Sequence, residues 1–129
     1  MIDLKTIVAE PWDDWGLIDS GGGRKWERYG PVTVVRPEPQ AMWAPALEDW
    51  SPDATSVPGS EEEGGGRWVR HRDLPQDWSL ARDNVRFNAS LTPFRHLAFF
   101  PDMAPQWDWM QSQALEADVL NLFGYTGVG

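Results

Sequence analysis

The chain has 129 residues, enough for one domain with a real core, and is 41% hydrophobic and 24% charged. Its net charge of -9 argues against strong non-specific binding to nucleic acid. Without cysteine there is no disulfide scaffold, Cys-based zinc site or Cys nucleophile in this segment. The opening MIDLKTIVAEPWDDWG carries Asp and Glu early and lacks a long apolar core, so it does not read as a signal peptide. No stretch approaches the ~20 apolar residues of a membrane span. These features predict a reduced, soluble, cytoplasmic protein.

Residues 1–14 read as a lead-in arm. Trp15–Asp19, Arg24–Tyr29 and Val32–Arg36 read as three strands, separated by a Ser20–Gly23 turn and a Gly30–Pro31 turn. The triple glycine also admits a phosphate cradle, although no helix pattern follows it. Pro37 and Pro39 take the chain out of the sheet, because proline removes ladder donors. Residues 51–66, SPDATSVPGSEEEGGG, are poor in apolar side chains and read as a mobile loop.

Order resumes at Arg67. Trp78–Arg82 reads as a strand, with Asp83–Asn84 as its turn. Val85, Phe87, Ala89 and Leu91 then alternate with polar residues, the period of a half-buried strand. Met103, Trp107, Met110 and Ala114 recur at helical spacing and place a helix at about 102–115. Val119–Phe123 is a short apolar run that breaks into Gly124, Gly127 and Gly129, the pattern of a buried parallel strand. A Gly-rich turn after such a strand is where α/β proteins bring backbone close to a nucleotide. The spacing is neither G-x-G-x-x-G nor a P-loop.

The tryptophans divide in two. Trp15, Trp26, Trp43, Trp78 and Trp107 read as core and rim anchors, while Trp12, Trp50 and Trp68 flank loops and are more open to stacking on a ligand. From Arg67 to His96 six arginines (Arg67, Arg70, Arg72, Arg82, Arg86, Arg95) outnumber three aspartates. They read first as a solvated sheet face and second as a face for RNA. His71 and His96 lack metal-ligand spacing, so no metal site is expected. No carboxylate pair or Ser-His-Asp arrangement suggests acid–base or nucleophilic catalysis.

Val119–Gly127, VLNLFGYTG, resembles motif I of class I S-adenosylmethionine-dependent methyltransferases. It is most similar to the ribosomal-RNA large-subunit branch, which favours Phe and a second aromatic where Phe123 and Tyr125 stand. Leu17–Gly23, Arg36–Trp43, Phe94–Asp102 and Trp107–Trp109 resemble blocks of the same family. One departure is Leu97–Ala98, where many relatives have Thr-Gly.

The resemblance implies an α+β fragment in three parts: the arm at 1–14, a small β-rich accessory domain at 15–92, and the start of a Rossmann-like domain at 93–129. The last part contributes one helix and its first strand. It implies S-adenosylmethionine as cofactor, bound by Asn121, Phe123, Gly124, Tyr125, Thr126 and Gly127, with His96, Phe99 and Phe100 nearby. Backbone groups of Phe123–Gly127 would take the methionine end, and the Thr126 hydroxyl would cap the next helix or bond the ligand. RNA, notably ribosomal RNA, is the implied substrate. Catalytic residues are expected beyond residue 129, in a C-terminal domain acting as an intramolecular partner, and these residues alone are expected to be inactive. The rival reading is a stand-alone Trp-rich β module that binds a protein or nucleic acid.

Overall fold

The computed structural model describes residues 1–60 and 66–129. Seven strands form, β1 (Trp15–Gly21), β2 (Arg24–Tyr29), β3 (Val32–Pro37), β4 (Ala54–Val57), β5 (Arg67–Arg70), β6 (Asp77–Arg82) and β7 (Val85–Ser90). A 3-10 turn, Pro101–Met103, then leads into the single helix α1 (Ala104–Gln113). Strands β1 to β5 make one sheet in sequence order, antiparallel except for the parallel pair β3–β4, and β6–β7 is a separate hairpin.

Alternation along β2 and β3 sends Glu27, Tyr29, Val32, Val34 and Arg36 to the inner face. There Tyr29, Val32 and Val34 meet Trp78, Leu80 and Ala89 of the hairpin, together with Leu97 and Phe99. Trp78 Nε1 donates to the Tyr29 carbonyl at 2.9 Å and locks the hairpin to the sheet. The arm is tied down by hydrogen bonds at its end, where the Arg28 guanidinium donates to the carbonyls of Trp12 and Asp13 and the Ala81 amide donates to the Asp14 carboxylate, and by Ala9 against the core.

Two expectations need correction, and one alternative, the phosphate cradle, is set aside. Residues 51–66 are not wholly a loop, since Ala54–Val57 is a strand whose Ala54 and Ser56 are buried. Its small residues lie where the sheet packs tightly, so position rather than apolar composition makes it a strand. Residues 61–65 of that stretch lie outside the described residues. Second, the triple glycine is no phosphate cradle. The Gly22 and Gly23 amides already donate to the carbonyls of Trp43 and Ala41, and the Gly21 Cα lies so close under the passing chain that a Cβ would come within 2.4 Å of the Pro45 nitrogen. Third, Val119–Phe123 forms no strand. No strand lies alongside to pair its backbone among the described residues, and Leu120 and Phe123 are 82% and 94% exposed.

The tryptophans depart from their division. Trp43 is exposed, its side chain held by Nε1 donating to Ser20. Trp12 and Trp68 instead pack against the core.

Candidate functional site

The segment after β7 is fixed by two residues of the sheet, Trp68 and Arg36, and by one bond of its own. Trp68 Nε1 donates to the Thr92 carbonyl at 2.7 Å, the Thr92 hydroxyl donates to the His96 carbonyl at 2.8 Å, and Arg36 Nη1 donates to the Arg95 carbonyl at 3.0 Å. Arg36 can do this because its other nitrogens grip Glu27. Nε and Nη2 donate to the two carboxylate oxygens at 2.7 and 2.9 Å, and Nη2 also reaches the Tyr29 hydroxyl. Burial opposes the guanidinium's charge, but Glu27 and Tyr29 offset it and hold its pKa above the ordinary arginine value. Burial, reinforced by the neighbouring Glu27 carboxylate, pushes the Tyr29 phenol well up.

With the backbone so held, side chains alternate. Leu97 and Phe99 enter the core, Phe99 meeting Tyr29 and Phe87 edge-on at 5.6 and 4.7 Å between centroids. His96 and Phe100 pair with each other and with Tyr125, at centroid separations of 5.1 to 5.8 Å. His96 Nδ1 is buried without a partner, and burial together with the charge of Arg36 lowers its pKa, which favours the neutral imidazole.

The Gly-rich turn docks on this segment. The Thr126 hydroxyl donates to the Ala98 carbonyl at 2.6 Å, in place of capping a helix. The Gly127 amide closes the turn on the Gly124 carbonyl at 2.7 Å, and the Phe123 amide donates to the Asn121 side chain. Ala98 itself has φ +70°, the left-handed region that a Cβ disfavours. A glycine, which the family resemblance implies at this position, would adopt that conformation without the strain.

Between the two segments lies a cleft of about 410 Å³, within the range of small-molecule sites. Seven of the nine residues singled out in the sequence line it: Phe99, Phe100, Asn121, Phe123, Gly124, Tyr125 and Thr126. His96 stands behind Phe100 and Tyr125 and does not line it, and Gly127 lines a different groove beside β7. The far wall is Asp102, Met103, Trp107 and Met110. Their helical spacing was visible in the sequence, but it fitted a core face equally well. The Glu27–Arg36–Tyr29 cluster was missed, because the alternating charges of β2 do not say which carboxylate turns inward.

The turn leaves backbone donors free. No hydrogen bond occupies the amides of Gly124, Tyr125 or Thr126 among the described residues, so the turn offers donors to a carboxylate. Phe99, Phe100 and Met103 supply apolar wall for a flat ring. Among the described residues no group of three or more His, Cys, Asp or Glu is placed to hold a metal, and no helix is long and apolar enough to cross a membrane.

No protein-family model matches the chain, and no curated protein matches it. Among solved structures it is similar to the SAM dependent methyltransferase from Agrobacterium tumefaciens. The two share 39% sequence identity and a TM-score of 0.82 over 98% of this chain and 42% of that one. The chain thus spans less than half the length of that relative.

Proposed function

We propose that these residues are part of an S-adenosylmethionine-dependent methyltransferase, and that the cleft between 99–110 and 121–126 is one wall of its cofactor site. The observation that carries this reading is the meeting of two separate sequence blocks, joined by the Thr126–Ala98 hydrogen bond. The likeness to the Agrobacterium enzyme supports it independently.

When bound, the cofactor supplies a methyl group on a sulfonium, open to in-line attack by a substrate nucleophile. This chain's residues would bind and orient it. The amides of Gly124–Thr126 would take the carboxylate, and Phe99 and Phe100 would exclude water from one side. Neutral His96 would hold Tyr125 in place without adding positive charge beside a cationic ligand. Positioning of this kind lowers barriers by fixing geometry rather than by proton transfer. We assign no catalytic residue within 1–129, and activity needs residues outside this stretch. The name of the Agrobacterium relative gives no acceptor. RNA therefore enters only through the motif resemblance. The arginine face lends it little, since Arg72 pairs with Asp53 and Arg82 with Asp83 and Asp108.

Calorimetric titration of S-adenosylmethionine into the 129 residues tests the partial-site reading. Binding weaker than micromolar and no methyl transfer are expected. Micromolar binding would mean that the cleft is complete within these residues and would overturn it.

A further inference from the structure

The outer face of the five-stranded sheet carries a second groove, of about 390 Å³, that the methyltransferase reading does not use. Its floor is Val35 and Thr55, adjacent across the parallel β3–β4 pair. Its walls are Arg24 at the start of β2, Trp50 and Ser51 from the chain that passes over this face, and His71 beyond β5. The Arg24 guanidinium lies 5.4 Å from the Trp50 ring centroid, and the Trp26 ring lies 6.1 Å from the Trp50 ring. Trp50 is thereby a platform that fixes Arg24 rather than an open stacking surface.

The Arg24 side chain makes no hydrogen bond or ion pair among the described residues. His71 Nε2 and Thr55 Oγ1 sit 2.9 Å apart, which orients the imidazole. The nearest carboxylates are spoken for. Asp19 accepts from the amides of Ser20, Ala46 and Leu47 and from Trp50 Nε1. Asp53 accepts from the Thr33 amide and hydroxyl and from Arg72. Glu48 and Asp49 are exposed and do not line the groove. Strand alternation puts Arg67 on this same face, since Arg67 and Val69 oppose Val57 and Thr55. In a chain of net charge -9, one guanidinium braced on an indole, an oriented imidazole and two hydroxyls gather hydrogen-bonding groups around one groove.

We propose that this groove is a binding site for a phosphate group, with Arg24 as the forked donor and His71, Thr55 and Ser51 completing the oxygen contacts. A planar guanidinium fork matches the oxygens of phosphate, and Trp50 limits the motion that would otherwise be lost on binding. The site stands apart from the methyltransferase reading and survives or fails without it.

Amide and indole NMR shifts of the intact chain, followed during titration with inorganic phosphate at constant ionic strength, test the proposal. Saturable movement of the Trp50 indole and of Thr55 and His71 is expected. Arg24→Ala should weaken the apparent affinity at least tenfold, Arg24→Lys by less, and Arg86→Ala on β7 not at all. Arg24 is exposed, so its replacement leaves the fold intact. Adenosine 5′-monophosphate and a short oligouridylate separate the two sources. Tighter binding of the monophosphate assigns the site to a free phosphate ester. Tighter, steeply salt-dependent binding of the oligonucleotide assigns it to a nucleic-acid backbone. Either result supports the site. Absence of movement at these residues, or movement unchanged in Arg24→Ala, would overturn it.

Discussion

Between Trp15 and Ser90, three carboxylates find several partners each: Glu27 accepts from Arg36 and Tyr29, Asp19 from four donors, Asp53 from Thr33 and Arg72. Between Phe94 and Gly129, Ala98, Glu116 and Tyr125 all sit at positive φ, and Leu120, Leu122 and Phe123 stand in water. The carboxylates of the first region are thus spent on partners within the chain, while the indole nitrogens of Trp15 and Trp26 and Nε of Arg82 find none among the described residues. The second holds strain, unbonded amides and apolar surface, the features expected where a chain is shaped to meet something else. The two regions share one core through Leu97 and Phe99, and polar contacts from Arg36 and Trp68 help set where the candidate cleft stands.

The largest effect is expected at that junction. Glu27→Ala leaves Arg36 buried without its counter-charge and should cost about 3–5 kcal/mol, read as a lower denaturant midpoint. It should also release the Arg95 carbonyl, so that protection of the 94–100 amides falls first in hydrogen exchange. A cost below 1 kcal/mol would make the pair no stronger than a surface contact and undo the contrast between the regions.

A smaller effect of opposite sign is expected at Ala98. Replacement by glycine relieves a left-handed Cβ and should raise stability by about 1 kcal/mol, seen as a higher midpoint at unchanged slope. Destabilisation would mean that the positive φ carries no strain.

The pH dependence sharpens the comparison next. His96 has a folded pKa below its ordinary value, so the unfolded chain binds the proton more readily. Its contribution is complete above the ordinary histidine pKa of about 6.5 and is lost as pH falls from there toward the lower folded value. His96→Phe should flatten stability across that window. Asp19 and Asp53 also have lowered values, the first through its backbone partner at Leu47 and the second through Arg72 and Thr33, which outweigh a burial that by itself would raise it. Their contribution is complete above the ordinary aspartate pKa of about 3.9 and is lost as pH falls through the folded values. Asp53→Asn should therefore remove part of the acid limb and leave the histidine limb unchanged. The smallest effect is expected for Leu120→Ser, within about 0.5 kcal/mol, because its side chain lies in solvent. A loss of 2 kcal/mol or more would show that 119–123 is buried in solution.

The same contrast explains what the sequence could reveal. The strands 15–37 and 77–90 and the helix announce themselves because period and turn residues agree with burial. Ala54–Val57 does not, since its neighbours in sequence are Ser, Pro and Gly and its place depends on the parallel partner β3. Val119–Phe123 carries the pattern of a strand but pairs with no strand among the described residues, and a strand is a property of two segments. The cleft was legible as two motifs, but the Thr126–Ala98 bond that joins them and the Arg36 grip beneath them are long-range contacts with no local signature.

The most direct test maps S-adenosylmethionine onto the chain by amide NMR, a method that reads even millimolar binding. Shifts that concentrate at Phe99, Phe100 and Gly124–Thr126, and that shrink in Thr126→Val, are the predicted result. Shifts absent there, or spread over the outer sheet face around Arg24, would contradict the assignment of this cleft to the cofactor.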